Sequence, residues 1–350
     1  MFHEITIEEI RARQQTKPVS FIDVRSPAEF AESTIPGSVN IPLFNNEERA
    51  EVGTLYTKIG VHAAKDRGLE ITAAKLPAFI RAIAAVPGDK AVFCWRGGMR
   101  SRTAATVVAL MDIHIYRLTG GYRAYRNWVV HELENFPFAY RPYVIHGLTG
   151  TGKTALLIRL KERGYPVVDL EGLAGHRGSV FGQIGLAANN QKTFDSLLLE
   201  DLLRYRSFPY LLLEAESKRI GRVVMPPFLA ERMEHAVQLR LEMPLEARVR
   251  QILADYRPEE HKEESLAAFR MIKDRIHIPI AAEIERSLLK ERYADAALLL
   301  LQHYYDPRYE FSAGRYGFAD FVTISASSVE EAEAAVIACL SSREGKASEP

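Results

Sequence analysis

The chain has 350 residues, of which 47% are hydrophobic and 26% are charged, and its formal net charge at pH 7 is zero. This composition is typical of a soluble globular protein, and at roughly 150 residues per domain the length predicts two domains. Zero net charge excludes a global electrostatic field as the means of holding a nucleic acid, so an RNA partner would require a local basic patch.

The cysteines and the apolar runs indicate the cellular compartment in which the protein is expected. Cys94 and Cys339 are the only cysteines, and their wide separation argues against a disulfide framework or a zinc site and for a reducing compartment. Cys339 falls in a predicted helix over 329–340, where a small thiol fits the apolar face. The first residues lack a signal-peptide pattern, and the apolar runs are too short to span a bilayer. We therefore expect a cytoplasmic protein with no membrane partner and no bound metal cluster.

Residues 1–130 alternate predicted strands with predicted helices and are expected to form the first domain. The strands are 19–25, 90–93 and 113–118, and the helices begin near Ala28 and cover 77–86 and 103–111. This alternation is typical of a mostly parallel sheet with helices on both faces. Chemistry in such sheets is found at the carboxyl ends of strands, which is where Cys94 falls.

The loop after strand 90–93 is the first candidate site. Backbone N–H groups can point at the Cys94 sulfur, and a following helix N-terminus and nearby arginines add positive potential. These surroundings should favour the thiolate. The alternative is a structural cysteine in a glycine-rich turn. The candidate residues are catalytic Cys94 and the loop residues Trp95, Arg96, Gly97, Gly98, Met99 and Arg100.

A linker over 131–142 separates this domain from a second one over 143–343. A predicted strand over 143–145 leads into a G-x-x-x-x-G-K-[ST] sequence, and a helix follows over 155–163. This strand–loop–helix context predicts a phosphate-binding loop, or P-loop, in which glycines allow backbone N–H groups to surround phosphate. Thr154 could hold Mg²⁺. The phosphate-binding candidates are Gly147, Leu148, Thr149, Gly150, Thr151, Gly152, Lys153 and Thr154.

Acidic and basic residues follow the P-loop. Two predicted strands, 164–171 and 210–214, end in acids that could organise a metal ion or water beside bound phosphate, namely Asp169, Glu171, Glu214 and Glu216. A glycine-rich segment and a compact basic patch supply candidate RNA or diphosphate contacts, namely His176, Arg177, Lys218, Arg219 and Arg222. Further arginines are expected on solvated helix faces, namely Arg232, Arg240, Arg248 and Arg250.

Helical patterns over 246–255, 261–276 and 280–293 predict a helical cap packed on the P-loop core. The aromatic and cationic residues of 303–309 are of a kind that can stack on exposed bases, although core packing is the commoner fate of such tyrosines. Residues 344–350 are expected to form a disordered tail. The predicted fold class is α/β throughout, with an N-terminal parallel-sheet domain and a C-terminal P-loop NTPase-like domain.

Four segments of the first domain, read in order, resemble the successive signatures of a rhodanese domain. They are 23–30, 35–42, the Cys94 loop and 118–125. The resemblance implies a cysteine that carries sulfur or selenium in a persulfide-like form. Five residues separate Cys94 from Arg100, however, which is similar to the C-x5-R loop of rhodanese-like phosphatases. The wider ring can surround a phosphate-sized group, so a phosphatase remains open, although no acid between Asp89 and Asp112 could serve as its general acid.

The combination of this domain with a P-loop domain resembles the bacterial tRNA 2-selenouridine synthase family over about residues 5–324. The resemblance implies a selenotransferase that converts 2-thiouridine at the tRNA wobble position to 2-selenouridine, with selenophosphate as donor. It also implies S-geranylation from geranyl diphosphate as an intermediate step. The implied partners are tRNA, selenophosphate and geranyl diphosphate, and no organic cofactor is implied. Two alternatives stay open: a P-loop kinase or nucleotide hydrolase with a rhodanese-like accessory domain, and a sulfur-carrier module.

Overall fold

The computed structural model describes residues 1–308 and 321–345 and divides the chain into two compact units, 1–135 and 136–350. The last helix of the first unit ends at Glu134, and the first strand of the second unit begins at Arg141. The predicted linker 131–142 therefore includes the last turn of a helix and the start of a strand, and only residues 135–140 connect them.

The first unit is an α/β fold around a five-stranded parallel sheet. Its strands are β1 (His3–Ile5), β2 (Val19–Asp23), β3 (Val39–Asn40), β4 (Asp89–Phe93) and β5 (Tyr116–Leu118), in the order β1-β5-β4-β2-β3. Its helices are α1 (Ile7–Gln14), α2 (Pro27–Glu32), α3 (Asn46–Lys58), α4 (Val61–Ala85), α5 (Met99–Ala109) and α6 (Gly121–Glu134). The predicted parallel α/β class is confirmed.

Helix α4 is much longer than the predicted helix 77–86. A proline inside a helix removes a hydrogen bond and clashes with the preceding turn, so it is normally found in the first turn. In the structure α4 continues through Pro77. Its buried positions include Ile71, Phe79 and Ile83, which join the core of this unit. Burial of that face outweighs the cost of the proline.

The second unit contains another five-stranded parallel sheet and a short antiparallel hairpin. The sheet order is β12-β11-β6-β8-β7, and the hairpin pairs β9 with β10. The strands are β6 (Arg141–Gly147), β7 (Val167–Val168), β8 (Tyr210–Glu214), β9 (Arg219–Ile220), β10 (Val223–Val224), β11 (Val237–Glu242) and β12 (Phe321–Ser325). Every residue of β8 is buried, as expected of a strand covered on both faces.

The helices of this unit cover the sheet and form the cap. They are α7 (Lys153–Glu162), α8 (Leu170–Ala174), α9 (Gln191–Arg204), α10 (Pro227–Glu234), α11 (Leu245–Tyr256), α12 (Lys262–Arg270), α13 (Ile278–Leu289), α14 (Tyr293–Leu300) and α15 (Val329–Glu344). A single 3₁₀ turn follows α12 at Lys273–Arg275, so the predicted helix 261–276 is interrupted. No helix among the described residues is long and apolar enough to cross a membrane.

The cap has its own apolar core, which joins α12, α13 and α14 through Phe269, Ile284 and Leu300. Tyr304 belongs to this core, with the Arg308 guanidinium 3.7 Å from its ring centroid, so this tyrosine packs inside the protein and is not available to stack on a base. Tyr309 and the tail residues 346–350 lie outside the described residues, while Glu344 closes α15.

A glycine allows the N-terminus of α6 to contact the chain immediately after β4. The Tyr122 N–H donates to the Cys94 carbonyl oxygen at 2.9 Å, which satisfies a helix N–H that has no partner within α6. Gly121 lies in the left-handed region at φ +62°, and a Cβ added there would come within 2.2 Å of the Cys94 carbonyl oxygen. Only glycine fits this close approach.

Substitution of this glycine tests the constraint. Gly121→Ala should reduce the free energy of unfolding of the first unit by roughly 3 kcal/mol or more, from backbone strain plus overpacking. Gly37→Ala is the matched control, because Gly37 also has a positive φ (+76°) but no atom lies within 4 Å of its added Cβ. Chemical denaturation should show the smaller loss for Gly37→Ala, and equal losses would contradict the close contact.

Candidate functional site

Cys94 stands directly after β4 and is buried, with 3% of its surface exposed. Its Sγ lies 3.2 Å from the Ser101 Oγ in the first turn of α5. Helix α5 begins at Met99, earlier than the predicted start at residue 103, so Met99 and Arg100 belong to its first turn. The sulfur therefore lies near the N-terminus of an eleven-residue helix, as the sequence predicted for an anion-binding loop.

Hydrogen bonds to its carbonyl groups fix the shape of the Cys94 loop. The Arg123 N–H donates to the Trp95 carbonyl oxygen at 2.9 Å, and the Arg117 guanidinium donates to the Gly97 carbonyl oxygen at 2.6 Å. Because these carbonyl groups are hydrogen-bonded to residues of α6 and β5, the backbone of the loop is held in place around the sulfur. Trp95 and Met99 expose more than a third of their surfaces, so apolar side chains frame the loop.

A buried ion pair supports the loop from β2. Arg25 and Asp23 are essentially unexposed and joined by hydrogen bonds, the shortest 2.6 Å. The Arg25 guanidinium lies 4.5 Å from the Tyr122 ring centroid and 5.9 Å from that of Trp95. These contacts stabilise both rings, since a cation over an aromatic face is attracted by it. The contacts of Arg25 therefore hold the rhodanese-like segment 23–30 against the Cys94 loop and the segment 118–125.

The sequence analysis missed a carboxylate at the Cys94 loop. Glu29, on α2, receives two hydrogen bonds from the Arg100 guanidinium, at 2.5 and 3.1 Å. Burial alone would raise the pKa of Glu29, but the hydrogen bond and charge of Arg100 outweigh it and the pKa is lowered. The positive charge of Arg100 is therefore already compensated. No local pattern could have revealed this, because the two residues are 71 positions apart.

Removal of the Glu29 charge tests this compensation. Glu29→Gln keeps a side chain that can complete the α2 capping box but frees the Arg100 charge. We expect the variant to bind thiophosphate several-fold more tightly, a gain of about 1 kcal/mol. Glu8→Gln, which removes an exposed carboxylate from the same unit, is the control. Titration calorimetry would contradict the proposal if Glu29→Gln bound thiophosphate equally or more weakly, since Glu29 would then be positioning Arg100 for the anion.

The predicted P-loop has the expected strand–loop–helix geometry. β6 ends at Gly147 and α7 begins at Lys153, and Gly150 and Gly152 take left-handed conformations at φ +82° and +72°. The Lys153 Nζ donates to the Gly147 carbonyl oxygen at 3.0 Å, which folds the lysine back over the loop. All eight candidate residues, 147–154, thus lie around the N-terminus of a ten-residue helix, the arrangement that binds phosphate.

One arginine, interpreted from the sequence as solvated, instead holds the P-loop. Arg248 on α11 is only 3% exposed and donates through Nε to the Thr149 carbonyl oxygen at 2.9 Å. Its other nitrogens bind the Asp306 carboxylate at 2.9 and 2.6 Å. The surface interpretation of Arg248 was wrong. Its apolar neighbours at 247 and 249, both buried, were the available signal that this part of α11 faces inward.

Acidic residues lie next to the P-loop. Of the two strands predicted to end in acids, only β8 has an acid, Glu214, as its last residue. The Thr154 hydroxyl donates to the Glu171 carboxylate at 2.8 Å, and the Glu171 N–H donates to the Glu214 carboxylate at 2.6 Å. Glu214 ends β8, opposite Ile145 of β6. The predicted strand 164–171 is formed only at Val167–Val168, as β7. Asp169 follows it as the N-cap of α8 and accepts from the Gly172 N–H at 2.8 Å. Asp169 is therefore used in capping the helix.

Crowding raises the proton affinity of these acids. Burial, aided by the charges of Glu171 and Asp169, raises the pKa of Glu214 well above its ordinary value. Burial and the neighbouring Glu171 raise the pKa of Glu216 to about 8, against the opposing charge of Lys153. Glu214 and Glu216 therefore hold their protons more tightly than ordinary glutamates do. A carboxyl group in its protonated form carries no negative charge that would repel an anion.

The basic residues predicted to contact RNA or diphosphate fall into two groups, one partly buried and one exposed. Burial lowers the pKa of His176, whose Nδ1 accepts from the Gly178 N–H at 3.1 Å. The Arg177 guanidinium lies 4.9 Å from the Tyr256 ring centroid. By contrast, the predicted RNA patch lies on and around the β9–β10 hairpin, where Lys218, Arg219 and Arg222 are all exposed. His176 is therefore an internal hydrogen-bond acceptor, whereas the hairpin presents exposed cationic side chains, of which Lys218 lies 3.7 Å from the Glu234 carboxylate.

The donor set at Thr154 is compatible with Mg²⁺, because hydroxyl and carboxylate oxygens are its usual ligands. Within the described part of the chain, however, no three His, Cys, Asp or Glu side chains are grouped so as to hold a metal ion. An ion at Thr154 and Glu171 would therefore depend on phosphate oxygens and water for most of its ligands. Such phosphate-dependent binding is the ordinary behaviour of Mg²⁺ in P-loop sites.

Comparison with known proteins assigns both units. Residues 6–127 match the rhodanese-like domain, and residues 140–297 match the family described as the tRNA 2-selenouridine synthase AAA domain. A tRNA 2-selenouridine synthase of Sulfurovum sp. (strain NBC37-1) is 35% identical over 84% of this chain and 88% of its own length. This chain belongs to the tRNA 2-selenouridine synthase family.

Two further members of the family show similar agreement. The synthase of Shewanella loihica is 32% identical over 84% of this chain and 87% of its own length. That of Bdellovibrio bacteriovorus is 36% identical over 69% of this chain and 65% of its own length. The resemblance inferred from the sequence is confirmed. In this member of the family, the rhodanese-like match contains the Cys94 loop, and the AAA-domain match contains the P-loop, its acids and helices α11–α13.

The raised pKa of Glu216 predicts how stability varies with pH. A carboxyl group that binds protons more tightly in the folded state stabilises the protein fully below pH 4.5, and this contribution is lost as pH rises through about 8. Glu216→Gln removes the titration. Its stability relative to the unsubstituted protein should therefore increase between pH 5 and pH 8, by roughly 3 kcal/mol.

Urea unfolding at pH 5, 6.5 and 8 would measure this difference. Glu263→Gln is the matched control, because Glu263 is an exposed glutamate of the same unit. We expect Glu263→Gln to follow the unsubstituted protein at every pH. Parallel pH profiles for Glu216→Gln and the unsubstituted protein would contradict the buried, protonated state of Glu216.

Proposed function

We propose that the protein is a tRNA-modifying transferase that converts 2-thiouridine at the wobble position to 2-selenouridine. In this proposal selenophosphate supplies the selenium, and geranyl diphosphate alkylates the sulfur as an intermediate step. The presence of two anion-binding loops in one chain, each at a helix N-terminus, carries the proposal. Its family relatives are named for the selenouridine product.

The Cys94 loop suits a small phosphate-bearing selenium donor. It combines a buried sulfur, the α5 N-terminus and the Arg100 guanidinium, and five residues separate Cys94 from Arg100. A ring of this width leaves room for a tetrahedral group. The competing phosphatase interpretation would need a general acid, and the carboxylate nearest to Arg100, Glu29, is held by that arginine with its pKa lowered. A carboxyl group that favours ionisation is a poor proton donor at neutral pH.

The P-loop suits the diphosphate of an allylic donor. In geranyl transfer the thiouridine sulfur forms a bond to C1 of the geranyl group, the C1–O bond breaks, and diphosphate leaves with the electron pair. Lys153 and the α7 N-terminus would stabilise the charge that develops on the leaving group. Burial and neighbouring carboxylates raise the pKa values of Glu214 and Glu216, so these groups oppose that charge less than ordinary ionised glutamates would. The selenium of selenophosphate then forms a bond to C2 of the base as the C2–S bond breaks and geranyl thiol leaves, and water cleaves the Se–P bond to release phosphate.

The tRNA would be held by local positive charge, since the chain has no net charge. The exposed Lys218, Arg219 and Arg222 of the β9–β10 hairpin are suitable phosphate contacts. A wobble base must also leave its stack to reach either site. Kinase or nucleotide hydrolase activity is the second candidate, and the Thr154–Glu171 hydrogen bond favours it because such a pair can bind Mg²⁺ beside a nucleotide.

Two substitutions separate the proposed steps. Cys94→Ala should abolish 2-selenouridine formation, while Lys153→Ala should lower S-geranyl-2-thiouridine formation by at least about 100-fold. Both products can be measured by mass spectrometry of tRNA nucleosides. Cys339→Ala and Lys262→Ala are the controls, because Cys339 lies on α15 and Lys262 is paired with Glu291 at the surface. Normal selenation by Cys94→Ala, or normal geranylation by Lys153→Ala, would refute the corresponding assignment.

A further inference from the structure

An apolar cavity lies between the P-loop and the helical cap. About 560 Å³ of empty space lies within it when the solvent at its open mouth is counted. Its walls come from the P-loop residue Thr149, from α11 and α14, and from the glycine-rich segment through Phe181. The P-loop itself therefore forms part of the cavity wall.

The lining of this cavity is chemically uniform. Aliphatic and aromatic side chains predominate, and none of the described residues that line it carries a charge or a side-chain amide. Thr149, Ser265 and the tyrosines contribute the only side-chain hydroxyl groups. A nucleobase presents several donors and acceptors that would lose water here without regaining partners, which is costly. A hydrocarbon chain has no such groups and gains by leaving water.

The cavity and the phosphate site are held together by direct contacts. A Cβ added to Gly150 would lie 2.9 Å from the Ile252 Cδ1, and Ile252 lines the cavity. Tyr256 also lines it, and the Arg177 guanidinium lies over the Tyr256 ring. Arg177 and Lys153 both lie close enough to influence the pKa of Asp255. One end of the apolar space therefore adjoins the P-loop, where the cations Lys153 and Arg177 lie near the acids Asp255 and Glu171.

From this juxtaposition we infer that the cavity binds the isoprenyl tail of the allylic diphosphate and that its α14 wall sets the tail length. The inference rests on the proposed use of the P-loop for diphosphate and adds the site that recognises the hydrocarbon. Ala297 and Leu300, both less than 9% exposed, contribute to that wall. A larger side chain at 297 shortens the available space, and a smaller one at 300 lengthens it.

The first test compares diphosphates that share one head group. Dimethylallyl, geranyl and farnesyl diphosphate, with five, ten and fifteen carbons, are titrated into the full-length protein. We expect geranyl diphosphate to bind at least about tenfold more tightly than dimethylallyl diphosphate. ATP and GTP should displace it poorly. Equal affinity for dimethylallyl and geranyl diphosphate, or tighter binding of ATP or GTP than of geranyl diphosphate, would overturn the inference.

The second test changes the wall. Ala297→Leu should weaken geranyl diphosphate about tenfold but leave the affinity for inorganic diphosphate within twofold, because the head-group site is unchanged. Leu300→Ala should shift the preference towards farnesyl diphosphate by several-fold. Ala282→Leu, at an exposed position of α13, is the matched control and should change nothing. Equal weakening of geranyl and inorganic diphosphate by Ala297→Leu, with an unchanged preference in Leu300→Ala, would overturn the tail site.

Lys153→Ala separates this inference from the proposed function. If all three prenyl diphosphates bind with equal affinity and lose it in Lys153→Ala, the diphosphate assignment stands and only the tail site fails. If Lys153→Ala leaves the binding of every diphosphate unchanged, the P-loop assignment fails and the tail site fails with it. The inference is supported when chain length affects affinity and Lys153→Ala weakens every member of the series.

Discussion

The contact between Arg248 and the P-loop backbone is the constraint on which the second unit depends. The buried guanidinium donates to the Thr149 carbonyl and is neutralised by Asp306. Because a buried cation must be paired, this single side chain fixes the loop, α11 and the segment after α14 relative to one another. The arrangement places the P-loop backbone directly beside an apolar space. The proposed ligand, an anionic head with a hydrocarbon tail, is inferred from that placement.

The first unit is organised by a comparable backbone constraint. The N-terminus of α6 donates its free N–H groups to the carbonyls of Cys94 and Trp95, and Gly121 allows the close approach. With its carbonyls held in this way, the loop leaves the sulfur near the α5 N-terminus. Glu29 then limits the positive charge of Arg100. The geometry of the loop is thus set by backbone contacts, while part of its positive charge is offset by the ion pair of Arg100 with Glu29.

The sequence predicted those parts of the sites that are local in the chain. The P-loop and the Cys94 loop each occupy a short continuous segment whose glycines and charges have few structural solutions. Contacts between distant segments were not predictable in this way, as Glu29 with Arg100 and Glu171 with Thr154 illustrate. Local rules also failed where tertiary packing outweighed them, as at Pro77 in α4.

The central claim is that two sites in one chain perform successive steps on the same tRNA base. Mass spectrometry of tRNA nucleosides over time, with donors added separately and together, tests it most directly. Geranyl diphosphate alone should yield S-geranyl-2-thiouridine, and later addition of selenophosphate should convert it to 2-selenouridine. Formation of 2-selenouridine at an undiminished rate without geranyl diphosphate, or no change in the tRNA with both donors present, would contradict the account.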